Sequence, residues 1–125
     1  MKLTIKILLA SLTLGSSGFA APTLLLETTI TEHRAARDKI VLAAPRVVIE
    51  SGRQAVVEVN KLEYAVTPTL LDNGTVEIRA TLTDRTGGEV KRLAAPRIKT
   101  QLDHIAEIQV GQFAFTTKTS VVKQP

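Results

Sequence analysis

The chain has 125 residues, 44% hydrophobic and 22% charged, with seven glycines, five prolines and no cysteine or tryptophan. That length suits one domain, the apolar fraction excludes a disordered chain, and the lack of cysteine excludes a disulfide framework or a thiolate metal site. The formal charge is +4, and the aromatic residues are only Phe19, Tyr64, Phe113 and Phe115, which argues against a surface built on ring stacking.

Residues 1–20 read as a secretory signal peptide, and residues 21–125 as a single β-rich domain. Lys2 and Lys6 form a short basic start, Ile7 to Leu14 is an uncharged apolar run, and Gly18-Phe19-Ala20 places small residues where a signal peptidase cuts. Cleavage is expected after Ala20, with Ala21 the neighbouring alternative. The apolar run is too short for an ordinary transmembrane helix, and no cysteine follows it to carry a lipid. Export to the periplasm or outer-membrane region is the expected localisation. Without Lys2 and Lys6, 14 basic residues face 12 acidic ones. So small an excess, spread along the chain, predicts no nucleic-acid partner. The densest basic stretch, Lys91, Arg92, Arg97 and Lys99, alternates with apolar residues as the wet side of strands does.

Leu24–Thr31 is the first strand of the domain, and the polar stretch His33–Lys39 is a loop or one helical turn. The string Leu-Ala-Ala-Pro-Arg then occurs at Leu42–Arg46 and again at Leu93–Arg97, an offset of 51 residues. The match continues without a gap. Val57 falls on Ile108, Val59 on Val110, Leu62 on Phe113 and Tyr64 on Phe115, with seven of thirty positions identical between 42–71 and 93–122. A two-copy internal repeat organises the domain. Pro45 and Pro96 mark strand starts or an edge, because proline donates nothing to a ladder. Ser51-Gly52-Arg53 and Leu102-Asp103-His104 read as hairpin turns. At Asn60 and Gly111 the apolar phase changes parity, which predicts a bulge or tight turn. Asp72-Asn73-Gly74 is a hairpin turn. It leads into Thr75–Thr83, where Val76, Ile78, Ala80 and Leu82 alternate with polar residues as in a half-buried strand. Thr86-Gly87-Gly88 closes that strand, and Thr116–Pro125 supplies the last. Eight to ten strands and no helical stripe predict an all-β fold, a small antiparallel β-sandwich or half-closed barrel.

The chemistry-bearing residues are few. Ser51, His104 and Asp103 could be drawn as a triad, but Ser51 lacks a nucleophile-elbow context and Asp103-His104 is a polar turn. His33 and His104 lie 71 positions apart, with no metal-ligand spacing. Asp72-Asn73-Gly74 lacks the alternating acids and closing glutamate of a calcium loop. Glu58, Glu63 and Glu77 alternate with apolar neighbours as solvated strand faces do. Gly87-Gly88 is followed by no helix and no Lys-Ser/Thr, so it forms no phosphate loop. Tyr64 and Phe115, equivalent in the repeat, are expected in the core. The sequence therefore assigns no catalytic residue, no cofactor-binding residue and no metal ligand, and the chain is expected not to be an enzyme.

Several segments resemble the conserved secretin domain of bacterial type II and type III secretion proteins. Leu25–Glu32 resembles its opening strand. Leu42–Asn60 resembles its proline-led strand, Gly-x-x-Ala turn and second strand, with Leu93–Gly111 as another copy. Val66–Ile78 resembles its Thr-Pro, glycine turn and alternating strand. The family's membrane-inserting hairpins and glycine-containing gate have no counterpart here. The resemblance thus implies a secretin-like β fragment in the bacterial envelope rather than a pore, and no functional residue is carried over. The leading expectation is an exported structural or protein-interaction element that works through exposed β-edges or self-association. A periplasmic module binding a glycan or small ligand would instead need Tyr64, Phe113 or Phe115 facing solvent. A hydrolase would need His33 or His104 within reach of Ser51 or a carboxylate.

Overall fold

A computed structural model describes residues 5–9, 21–34 and 38–122. Apart from Ile5–Leu9, the expected signal peptide lies outside the described residues. So do part of the His33–Lys39 loop and the last three residues. The described chain is all-β: β1 (Ile5–Leu9), β2 (Thr23–His33), β3 (Lys39–Ala43), β4 (Arg46–Glu50), β5 (Ala55–Val59), β6 (Leu62–Leu70), β7 (Thr75–Asp84), β8 (Lys91–Ala94), β9 (Arg97–Gln101), β10 (Ile105–Val110) and β11 (Phe113–Val121). They form two antiparallel sheets packed face to face as a β-sandwich, not closed into a barrel. The six-stranded sheet runs β1-β5-β6-β7, with β8 and β9 sharing the far edge of β7; the five-stranded sheet runs β10-β11-β2, with β3 and β4 sharing the far edge of β2.

The two sheets are built alike. In each, a hairpin (β5–β6 or β10–β11) pairs with a long strand (β7 or β2), which carries a broken edge strand. Each Leu-Ala-Ala-Pro-Arg string makes that break. Pro45 and Pro96 interrupt the ladder and turn their carbonyls inward. Thr28 N–H donates to the Pro45 carbonyl and Ala80 N–H to the Pro96 carbonyl, both at 3.0 Å. The long strands bulge beside the breaks, between Ile30 and Thr31 and between Leu82 and Thr83. A missing donor and a bulge both stop a strand edge from templating another chain.

The segments at Ser51-Gly52-Arg53 and Leu102-Asp103-His104 are not the hairpin turns expected from sequence. They are corners at which the chain leaves one sheet for the other, since β4 pairs with β2 while β5 pairs with β6. Local turn chemistry is the same in both cases; the partner strand is chosen by distant packing. At the first corner Ser51 N–H donates to the Pro22 carbonyl (2.8 Å) and Gly52 N–H to the Pro68 carbonyl (2.7 Å). At the second, Leu102 N–H reaches Gly74 (2.9 Å) and Asp103 N–H reaches Thr119 (2.8 Å). Gly52 and Asp103 occupy equivalent left-handed positions, with φ of 86° and 64°, a conformation that glycine and short polar residues tolerate. The parity change at Asn60 is a tight turn, with Asn60 and Lys61 both at positive φ joining β5 to β6.

The core is aliphatic, and Tyr64 and Phe115 stack at its centre with ring centroids 6.3 Å apart. Such pairs contribute about 0.5–1.5 kcal/mol beyond their buried area. The five-stranded sheet is the more polar. Thr28 stands opposite Thr117, their hydroxyls 3.0 Å apart, where the other sheet pairs Val66 with Ala80. Thr119 takes the place of Pro68; it is fully buried and its Oγ1 has no hydrogen-bond partner among the described residues. An orphaned buried hydroxyl costs about 1–3 kcal/mol. Thr119→Val is therefore expected to raise stability by about 1 kcal/mol, read as a higher urea midpoint with an unchanged slope.

Candidate functional site

The residues that could carry chemistry sit mainly at the two corners, and there they hold the backbone. The Ser51 hydroxyl accepts the Leu70 N–H at 2.7 Å, tying the first corner to the end of β6. His104 Nδ1 lies 2.9 Å from the Leu102 carbonyl within its own turn. Asp103 occupies the left-handed position of its corner. In the internal alignment Ser51 matches Leu102, so the two corners present no matched pair of nucleophile and base. His33 ends β2, where its N–H donates to the Gln112 carbonyl at 2.7 Å. Among the described residues no three His, Asp or Glu side chains cluster as metal ligands.

The carboxylates lie on outer faces and loops. Glu77 pairs with Arg79 (3.0 Å), Glu63 with Arg85 (3.1 Å) and Glu32 with Arg34 (2.6 Å). Exposed pairs of this kind contribute little to stability. Asp84 accepts both the N–H and the hydroxyl of Thr86, which holds its carboxyl below the usual range and fastens the turn after β7.

An open groove of about 400 Å³ crosses the outer face of the five-stranded sheet, where Thr29, Arg46, Ile105, Thr116 and Lys118 meet the Pro45 break. Its charges alternate across the strands, since Glu27 stands opposite both Lys118 and Arg46. A second groove of about 360 Å³ beside Val41, Pro45 and Val59 is apolar. Neither is lined by an aromatic ring. Tyr64, Phe113 and Phe115 are all buried, which removes the exposed rings that a glycan-binding reading requires.

The four sheet edges differ. Those carrying β3–β4 and β8–β9 are each interrupted by a proline and faced by a bulge. β5 and β10 are straight and free of proline. β5 is covered by β1 in an unbroken antiparallel register from Ile5↔Val59 to Leu9↔Ala55. β10 pairs only with β11, and its outer edge forms no ladder among the described residues. Ile105, at its start, is 74% exposed. The sequence expectation of an exposed β-edge did not distinguish among these four, because an edge is defined by its missing neighbour and not by its residues. Among the described residues no helix is long and apolar enough to cross a membrane. Comparison with protein-family models, with curated proteins and with solved structures gives no match.

Tyr64 is the one titratable side chain at the centre of the core. Burial pushes its phenol up from 10.0 to about 12, against a smaller opposing effect of the Thr28 hydroxyl. Below pH 10 the ring is protonated whether the chain is folded or not. Between pH 10 and 12 only the unfolded chain has lost the proton, so stability falls by about 3 kcal/mol across that window. Tyr64 is the only tyrosine, so absorbance at 295 nm reports it alone. The folded protein is expected to show no tyrosinate at pH 10.5, and Tyr64→Phe to lose the alkaline destabilisation.

Proposed function

We propose that the chain is an exported, non-catalytic β-sandwich module of the bacterial envelope, resembling part of a secretin, that acts as a structural or protein-interaction element through its sheet edges. The observation that carries this reading is the outer edge of β10. The fold blunts two of its edges with proline and bulge; the outer edge of β10 pairs with no strand among the described residues, and removal of residues 1–20 would take β1 off β5 and leave that proline-free edge uncovered as well. Unpaired strand edges recruit other chains through main-chain hydrogen bonds. The structural use of Ser51, Asp103 and His104 supports a non-catalytic role, because each is engaged in forming a corner. The basic start and apolar run of residues 1–20 support export.

Expression in a bacterium with two membranes tests the proposal. The expected product begins at Ala21 or Pro22 and fractionates with the periplasm or envelope, and cross-linking in intact cells joins its edge strands to a second polypeptide. Full-length protein retained in the cytoplasm would contradict it. So would a hydrolytic activity abolished by Ser51→Ala but retained in a variant of equal stability.

A further inference from the structure

The two sheets share a row of outward positions and fill it differently. In the five-stranded sheet Lys118 of β11 stands opposite Glu27 of β2, and Glu27 opposite Arg46 of β4, so the acid lies between two cations. In the six-stranded sheet the equivalent row is Thr67 of β6, Arg79 of β7 and Arg97 of β9. Arg46 and Arg97 end the two Leu-Ala-Ala-Pro-Arg strings; the difference lies at Arg79, which takes the place of Glu27. Like charges directly opposite in a strand pair are destabilising. Among the described ladders Arg79↔Arg97 is the one place where two arginine or lysine residues face each other. In the next row Glu77 faces Lys99, where the other sheet sets Leu25 opposite Val48. The Glu77 carboxylate turns to Arg79, 3.0 Å from Oε1 to Nε. Arg97 and Lys99 form no ion pair among the described residues. Glu77, Arg79, Arg97, Ile98 and Lys99 line a hollow of about 150 Å³. Its three cations and one carboxylate leave a local charge of +2.

We infer that this hollow on the outer face of the six-stranded sheet binds a phosphomonoester group, held by Arg97 and Lys99 with Arg79 as the third cation. A guanidinium presents paired N–H donors that match phosphate oxygens. A phosphomonoester carries about −1.5 to −2 charges near neutral pH, which matches the local excess. A carboxylate or a phosphodiester carries a single negative charge and leaves half of that excess uncompensated. An anion between the two guanidiniums also removes the repulsion that the Arg79↔Arg97 pairing creates. The hollow has room for such a group and little more, so the phosphate belongs to a small solute or is displayed by a lipid headgroup. β7 and β9 lie at the opposite side of the sheet from β1, so the site is the same with residues 1–20 present or removed. It uses a sheet face and is independent of the edge-mediated interaction proposed above.

The test follows the backbone amide and Nε–Hε signals of Arg79 and Arg97 in the full chain by NMR, near neutral pH and at constant ionic strength. Methyl phosphate is expected to move both residues' signals, and dimethyl phosphate and acetate to bind about ten-fold more weakly. Arg97→Glu restores the alternation of the other sheet; it is expected to weaken methyl phosphate by at least about ten-fold and to raise the urea midpoint. Arg97→Lys keeps the charge but loses the paired donors, and is expected to weaken binding by about three-fold. Arg46→Glu makes the same change of net charge at the equivalent position of the five-stranded sheet and is expected to leave binding unchanged. Arg46 and Arg97 are exposed, so these variants keep the fold. Phosphatidylcholine vesicles containing phosphatidic acid, compared with vesicles containing phosphatidylglycerol instead, separate the two sources. Co-sedimentation with the phosphatidic acid vesicles alone assigns the phosphate to a lipid; binding of methyl phosphate without co-sedimentation assigns it to a solute. The inference is overturned if methyl phosphate moves neither arginine, if dimethyl phosphate or acetate binds equally well, or if both kinds of vesicle bind alike. It is also overturned if Arg46→Glu weakens binding as much as Arg97→Glu, which would reduce the effect to net charge.

Discussion

The seam between β2 and β11 joins the first long strand of the domain to its last, in register from Leu24↔Val121 to Glu32↔Phe113. Its counterpart joins β6 to β7, from Leu62↔Asp84 to Leu70↔Val76. In the first, the final strand of the second copy pairs with β2, the strand that precedes the first copy; in the second, the final strand of the first copy pairs with β7, the strand that precedes the second. Each sheet is therefore assembled from both copies, and neither copy has a complete sheet by itself. Between β2 and β11 the chain must cross between layers once in each direction, after β4 and after β9, and the sheet-changing corners follow from that requirement. So does the stacking of Tyr64 on Phe115, because equivalent residues of the two copies face each other across the middle of the sandwich.

This arrangement determines where chemistry-bearing residues end up. The corners need a residue at positive φ and groups that engage nearby backbone, and Gly52, Asp103, Ser51 and His104 meet those needs. The inward faces need volume, which draws the aromatic rings inside. The outer face of the five-stranded sheet retains charged rows that neutralise one another across strands. The periphery of the sandwich is shaped strand by strand: two edges are broken by the repeated proline string, β5 is covered by β1, and β10 has no outer neighbour among the described residues.

Much of this was legible in the chain. Alternation located β7, and the repeated proline strings located the edge breaks. The Asn-Gly pair marked the β6–β7 hairpin, and the parity change at Asn60 marked the β5–β6 turn. Pairing between sheets was not legible, because a turn such as Ser51-Gly52-Arg53 has the same local chemistry whether it closes a hairpin or changes layers. The kinship of β2 with β7 was hidden as well. The inward residues Leu24, Leu26, Thr28 and Ile30 of β2 answer to Val76, Ile78, Ala80 and Leu82 of β7, with no identities between them, and the register differs by one residue from that of the repeat. The burial of Thr28, Thr117 and Thr119 had no sequence signal, since threonine serves both faces of a strand equally well. The edge difference had no sequence signal, because Ala55–Val59 and Ile105–Val110 share their alternation and only the presence of β1 separates them.

Amide hydrogen exchange of the monomeric full chain tests this account most directly. In an antiparallel edge strand alternate N–H groups point away from the only neighbour. The account predicts slow exchange at every amide from Ala55 to Val59, where both sides are paired. From Ile105 to Val110 it predicts alternation between slow and nearly unprotected amides. Uniform protection along Ile105–Val110 in a monomer, or alternation along Ala55–Val59, would contradict it.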